Sequence, residues 1–284
     1  MQFQRFSIAN TGMSTNYTFS RVSSFVLPLK ILDSGTKPSK LQLNHTSFKN
    51  CSFNNFGLVY STIQVEINQA TFVGNTFSTE GSLYFFILEK KLIARDLTFD
   101  QNNGMNTTLF RGYNIFQIEK SKFTHNNLKG YFDLQKELLM KDIVIRDTAC
   151  KEQCFIIYFN KGEFLRMYDV KISNASLKGE VMKVTGQLTV EIKNSEFRNI
   201  KCTEANIGNA FKFNPIENSK ILIEKTLFMQ MHGNMDFSAI GSTVKFVKDT
   251  FENVTSIKDN LMEMILGKTQ VEFIRCEFIQ KVGS

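Results

Sequence analysis

The chain has 284 residues, 42% of them hydrophobic, with 28 Phe, 3 Pro and no Trp. This is ample for a buried core, and the skew favours strands and tight turns over helices. The net charge of +7, from 34 basic and 27 acidic residues, is dispersed without a basic run or a Gly/Arg segment, which excludes the footprint of a nucleic-acid binder.

Taken in order, the chain repeats one pattern. An apolar anchor stands at Ile8, Phe48, Phe72, Phe99, Phe123, Ile145, Ile172, Phe197, Phe228, Phe251 and Phe278. After a first gap of 40 residues the spacing stays at 22–31. Seven and five residues before each anchor stand two apolar residues, from Met1/Phe3 and Leu41/Leu43 through Val65/Ile67 to Val271/Phe273. Spacing by two is what a strand with one buried face requires, so each repeat is expected to carry a strand that leads into the anchor.

Two residues after the anchors the row reads Asn10, Asn50, Gly74, Gln101, His125, Asp147, Asn174, Asn199, Gln230, Asn253 and Gln280. A polar side chain on the parity of a buried aromatic must have its hydrogen bonds met. Stacked at the strand spacing of ~4.8 Å, these groups are expected to point inward, bond from repeat to repeat, and fill a sharp corner where Asn tolerates left-handed backbone. On the outer face Arg95, Glu119 and Lys141 fall on consecutive repeats, and Arg166 and Lys245 neighbour Glu191 and Glu272, alternations that neighbouring strands favour. A leucine-rich repeat is excluded because the place of its Asn holds Thr46, Ala70 or Val170.

The expected fold is therefore all-β: a right-handed, single-stranded parallel β-helix of about eleven coils over residues 1–284, with 11–40 a long inter-coil loop or insertion. Repeats with these features resemble the pectin lyase-like superfamily. The Asn/Lys/Ile/Phe-rich composition and Phe-x-Asn corners also resemble the β-helical ectodomains of large ciliate membrane proteins, whose Cys-rich and membrane-spanning parts lie elsewhere. Met1 falls on a core-facing strand position, which implies a fragment of a longer chain. No apolar run approaches the ~20 residues that span a bilayer, and SSFVLPL at 23–29 is short for a signal peptide.

The first resemblance implies a search for carboxylates clustered with basic groups on one outer sheet. Asn-Thr-Asp, Asp-Asp and Gly-His-Gly are all absent. Asp142 and Asp169 share a row on adjacent repeats, with Asp96 further along and Lys120 between, and read as solvated corners. His45, His125 and His232 are scattered, and no cofactor or metal is expected. Among the five Cys, Cys150 and Cys154 share a loop and are candidates for a local disulfide in an oxidising compartment. Cys150 and Cys202 are two coils apart and too far to bond, and Cys276 takes a buried position.

Six Asn-x-Ser/Thr tripeptides occur, at Asn16, Asn44, Asn50, Asn106, Asn174 and Asn253. Those in the inward row are excluded as glycan acceptors, leaving Asn16 and Asn106, with Asn44 third. The expected role is that of a structural or recognition segment, without catalysis, of an extracellular or cell-surface protein. Its partners would be further coils of the same chain or another copy at the open ends, and glycans or proteins on the outer faces. A polysaccharide lyase or hydrolase and an intracellular scaffold are the competing classes.

Overall fold

The computed structural model describes residues 40–54, 59–78, 83–186, 188–203, 209–214, 218–237, 241–255 and 270–280, with short strands between 2 and 31 and at 262–263. Among these residues there is no helix, and the strands pair in parallel with those of the coils before and after. The architecture is a parallel β-solenoid of about eight turns, fewer than the eleven expected. The coils at either end have only part of their circuit among the described residues.

Each coil contributes to three walls. In the first, Leu43, Ile67, Ala94, Ile118, Met140, Met167, Ile192, Ile223, Phe246 and Phe273 stand in register. The anchors from Phe48 to Phe278 form the second in the same way. Strands such as Lys40–Asn44 and Gln64–Asn68 bury every second residue, as one-sided packing requires. The third wall bends where its register shifts, between Gly104 and Thr108, Cys150 and Gln153, and Asn209 and Phe211.

The first repeat departs from the expectation. Strands Ser14–Thr15, Thr18–Ser20, Ser24–Phe25 and Leu29–Ile31 pair with Lys40–Asn44, Ser47–Lys49, Ser52–Asn54 and Val59–Ser61. The described strands between 14 and 31 thus pair as those of a coil do, within the stretch 11–40 read as a loop or insertion, and Phe19 stands opposite Phe48. Phe3 pairs with Phe25 and so lies outside the first wall to which the spacing assigned it. Phe19 precedes Phe48 by 29 residues, inside the range of the later periods. Aligning on Ile8 skipped one repeat, because the wall pair preceding Phe19 is less apolar. Ile8, Asn10 and Asn16 lie outside the described residues.

Aromatic rings fill the interior in columns. Phe48, Phe72, Phe99 and Phe123 stack with centroids 5.3, 4.4 and 5.3 Å apart, and Phe197, Phe228, Phe251 and Phe278 at 5.3, 5.0 and 4.8 Å. Third-wall rings meet them edge-on, as Phe110 meets Phe99 at 5.8 Å and Phe211 meets Phe197 at 4.9 Å. Offset-stacked and edge-to-face geometries are the ones that ring quadrupoles favour.

Both corners flanking the second wall are turned by single left-handed residues. Before it stand His45, Gln69, Asp96, Lys120, Asp142, Asp169, Asn194, Lys225, Lys248 and Arg275, with φ between 49° and 57°. After it stand Asn50, Gly74, Gln101, His125, Asp147, Asn174, Asn199, Gln230 and Asn253, with φ between 49° and 64°. The left-handed region costs a non-glycine residue ~1–2 kcal/mol, yet nearly all the occupants have side chains. Their backbone N–H groups continue the inter-coil ladder, as in Asn50 N–H to Val73 O at 2.9 Å and His45 N–H to Asn68 O at 3.0 Å. Those bonds offset the strain.

Inside the second corner runs a true amide ladder, one residue beyond the row read from the sequence. Asn75, Asn102 and Asn126 are each at most 1% exposed. Each Nδ2 donates to an anchor carbonyl, those of Phe48, Phe72 and Phe99 respectively. Asn75 and Asn102 also donate from Nδ2 to the next Oδ1, at 2.9 Å in both cases.

The first corner has its own buried polar groups. Ser121 accepts from Leu97 N–H, Ser195 from Val170 N–H, and the fully buried Asp249 from Thr226 N–H at 2.7 Å and Val247 N–H at 2.9 Å. Burial pushes the Asp249 carboxyl up to about 6, the two N–H donors working against it and the Glu224 charge with it. A raised folded value means that the native state keeps a proton that the unfolded chain has lost. This group's contribution is therefore full below the ordinary carboxylate value and is lost as pH rises towards 6. The difference corresponds to on the order of 2–3 kcal/mol. Glu119, held below its usual value by hydrogen bonds from Gln117 and Arg95 against burial, acts in the opposite direction, losing its contribution as pH falls. Urea midpoints at pH 4 and pH 7 isolate the Asp249 effect: the change between them should be more positive in Asp249→Asn than in the wild type. Equal changes would show that Asp249 keeps an ordinary carboxyl.

Candidate recognition face

The third wall differs from the others in what it shows to solvent. Its strands bury two consecutive residues before each outward one: Phe85 and Phe86 before Ile87, Leu109 and Phe110 before Arg111, Tyr131 and Phe132 before Asp133. The outward row in register is Tyr60, Ile87, Arg111, Asp133, Tyr158, Lys183, Lys212 and Asp236, of which Asp133 and Asp236 are largely covered by their neighbours. Aromatic and charged groups thus follow one another at the rung spacing of ~4.8 Å.

Arg111 is the centre of this face. Its guanidinium lies 4.6 Å from the ring centre of Tyr84 and 5.4 Å from that of Tyr113, both within cation–π range. The Tyr84 hydroxyl donates to Asp133 Oδ2 at 2.8 Å. Burial first, then the Asp133 bond and charge, push the Tyr84 phenol up to about 12, so it remains a neutral donor. Arg111 Nε stands 4.0 Å from Asp133 Oδ2, beyond hydrogen-bond reach, and is buried without an acceptor. The side chain is 34% exposed, and the planar fork of its guanidinium matches carboxylates and other paired oxygen acceptors.

Further along, the Phe155 and Tyr158 rings meet at 5.6 Å, and Lys183 Nζ lies 5.5 Å from the Tyr158 ring centre. Phe155 also covers Gly130, where a Cβ would come within 2.5 Å of its ring. The first wall offers a shallow groove of about 450 Å³ over Thr189, Glu191, Lys220, Leu222, Lys245 and Glu272. There Lys245 already pairs with Glu272 at 2.9 Å, so its charge is partly spent.

The structure corrects the orientation of the predicted ladder row. Asn50, Gln101, His125, Asn174, Asn199, Gln230 and Gln280 are exposed, and Asp147 and Asn253 are half-buried. Alternation places Phe48 in and Lys49 out, but the left-handed residue at position 50 turns its side chain out as well, and Cys51 returns to the interior. The row is bonded only in part. Asn199 Nδ2 donates to Asn174 Oδ1 and Asn174 Nδ2 to Asp147 Oδ1, both at 2.9 Å. His125 bridges the neighbouring coils, with Nδ1 2.8 Å from Asp100 Oδ1 and Nε2 3.5 Å from Asp147 Oδ2.

Cys150 and Cys154 are buried and not joined by the expected local disulfide. They flank a bulge, and the Cys154 thiol is pushed up by its hydrogen bond with Cys150 and by burial. That disfavours the thiolate from which a disulfide forms. Cys150 and Cys202 stack through Leu177, two coils apart as read from the sequence. Cys276 is only partly buried, against expectation, because it lies on the last described rung.

Asp96, Asp142 and Asp169 take left-handed corner positions, and among the described residues no three His, Cys, Asp or Glu side chains are arranged to hold a metal ion. His45 turns an exposed corner and His232 Nδ1 lies 3.0 Å from Thr255 Oγ1. Asn106 and Asn44 are half-buried, and Asn44 Oδ1 accepts from Asn68 Nδ2 at 2.9 Å. No described helix is long and apolar enough to cross a membrane.

Two features escaped the sequence reading. The buried amide ladder had a signal, Asn three residues after the anchor in three successive repeats. The Arg111 cluster had none, since Tyr84, Arg111 and Tyr113 meet only through third-wall register. Compared with known proteins, the chain matches no family and no curated sequence.

Proposed function

We propose that the chain is a structural and recognition segment of an extracellular or cell-surface protein, a right-handed β-helix of the pectin lyase-like kind that binds through its outer faces without catalysis. The observation that carries this reading is Arg111, a third exposed, with its guanidinium within cation–π range of both Tyr84 and Tyr113 and beside Asp133. A cation fixed in place in advance loses little freedom on binding. Assembly belongs to the same reading: Phe273 and Phe278, 41% and 57% exposed, end their stacks on the outermost described rung. A further coil, of this chain or of another copy, would cover them.

The test is an array of extracellular oligosaccharides and ectodomains probed with the labelled protein. Arg111→Ala should weaken the wild-type signal at least tenfold, the scale of one charge-assisted contact, while Lys122→Ala, exposed on the second wall, leaves it unchanged. A signal indifferent to Arg111→Ala overturns the reading. Cleavage of a polysaccharide is the alternative, favoured by Asp133 and Glu180, buried carboxylates near Tyr158, whose phenol is raised by burial and then by both charges. Release of new chain ends from a polysaccharide panel, lost in Asp133→Asn, would establish it. The five cysteines, none in a disulfide here, fit the intracellular scaffold reading, which intact mass of native material would support by showing neither sugar nor disulfide.

A further inference from the structure

We infer that Asn50 carries an N-linked oligosaccharide, a modification site on the second corner that rests on the extracellular reading above. Asn50-Cys51-Ser52 is an acceptor tripeptide, and it belongs to the row that alternation had placed inside. The left-handed corner, φ 52°, turns the Asn50 side chain into solvent. Its backbone N–H is held by Val73 O at 2.9 Å, so the corner does not depend on the carboxamide. On the next rung the matching position is Gly74, where a Cβ would stand 2.4 Å from Asn50 Oδ1. The carboxamide therefore lies over bare backbone, and among the described residues no side chain hydrogen-bonds to it.

The other described tripeptides fit a sugar less well: Asn253 is half-buried, and its Thr255 Oγ1 bonds to Met231 O at 3.3 Å and meets His232 Nδ1 at 3.0 Å. Asn174 uses both ends of its carboxamide, donating to Asp147 and accepting from Asn199. Asn44 accepts from Asn68. Asn106 leads directly into Thr107 and Thr108, which are 0% and 3% exposed. Ser52, by contrast, bonds on the surface to Thr76, Oγ to Oγ1 at 3.0 Å.

In the transfer, Asn50 Nδ2 bonds to C1 of the first sugar of a lipid pyrophosphate-linked oligosaccharide. The C1–O bond to that pyrophosphate breaks, the lipid pyrophosphate leaves with the bonding pair, and Nδ2 gives up one of its two protons to solvent. The remaining N–H and the outward direction leave the finished coil undisturbed.

The experiment is secretion of the chain from a eukaryotic cell, enzymatic removal of N-linked sugar in heavy-oxygen water, and peptide mapping, with native material mapped in parallel. Label should appear at Asn50 and vanish in Ser52→Ala, whose thermal midpoint should match that of the deglycosylated wild type. An unlabelled Asn50 beside a labelled Asn44 or Asn106 overturns the inference and leaves the extracellular reading standing. Native material without sugar at any acceptor overturns both.

Discussion

Asn102→Leu is expected to lower the free energy of unfolding by roughly 3–5 kcal/mol, although the two side chains are close in size. Asn102 is 1% exposed and completes its hydrogen bonding inside the corner. Its Oδ1 accepts from Asn75 N–H at 3.1 Å and Asn75 Nδ2 at 2.9 Å, and its Nδ2 donates to Phe72 O at 3.0 Å and Asn126 Oδ1 at 2.9 Å. Leucine removes all four bonds and lets no water in. Each buried group left without a partner costs ~1–3 kcal/mol, and the Asn75 donors and the Phe72 carbonyl are the groups at risk. Asn103→Ala, one residue on and exposed, should stay within about 0.5 kcal/mol. Urea denaturation of the two variants checks the contrast, and similar midpoints for both would remove the buried ladder from the account of stability.

Phe99→Ala should cost ~3–5 kcal/mol through the cavity it leaves. The ring is fully buried, stacked at 4.4 Å on Phe72 and 5.3 Å on Phe123 and met edge-on by Phe110. In a solenoid each coil touches only its neighbours, so the damage should be graded along the axis. Native-state amide exchange should speed up in the coils of Phe72, Phe99 and Phe123 while the coils of Phe228 and Phe251 keep their protection. Uniform acceleration along the chain would mean that the stack unfolds as a single unit.

The anchors and the apolar pairs before them made the first two walls legible, because alternation along a one-sided strand is visible in single residues. Leu43, Ile67 and Ala94 stand in the register that their spacing implied. The corners were legible as positions but not as directions. A left-handed residue interrupts the alternation, so Asn50 and Asn199 face solvent while Asn75 and Asn102 face the core. At the first corner Lys120, Lys225, Lys248 and Arg275 give no hint of left-handed backbone by residue type, unlike its Asp, Asn and His occupants. The third wall was least legible, since its bulges break the count between one rung and the next. The Arg111 face depends on that count.

The register pairs also bear on how such a chain reaches its fold. Parallel sheets ordinarily join strands distant in sequence and form slowly, because a long loop must close before any contact rewards it. Here the partner of each strand lies one period away, as Phe99 is 27 residues from Phe72 and 24 from Phe123. Relative to 284 residues that separation is about 0.09, in the range typical of helical bundles. An all-β molecule built this way can grow as it leaves the ribosome, each coil templated by the edge of the one before, with no need to wait for its distant end.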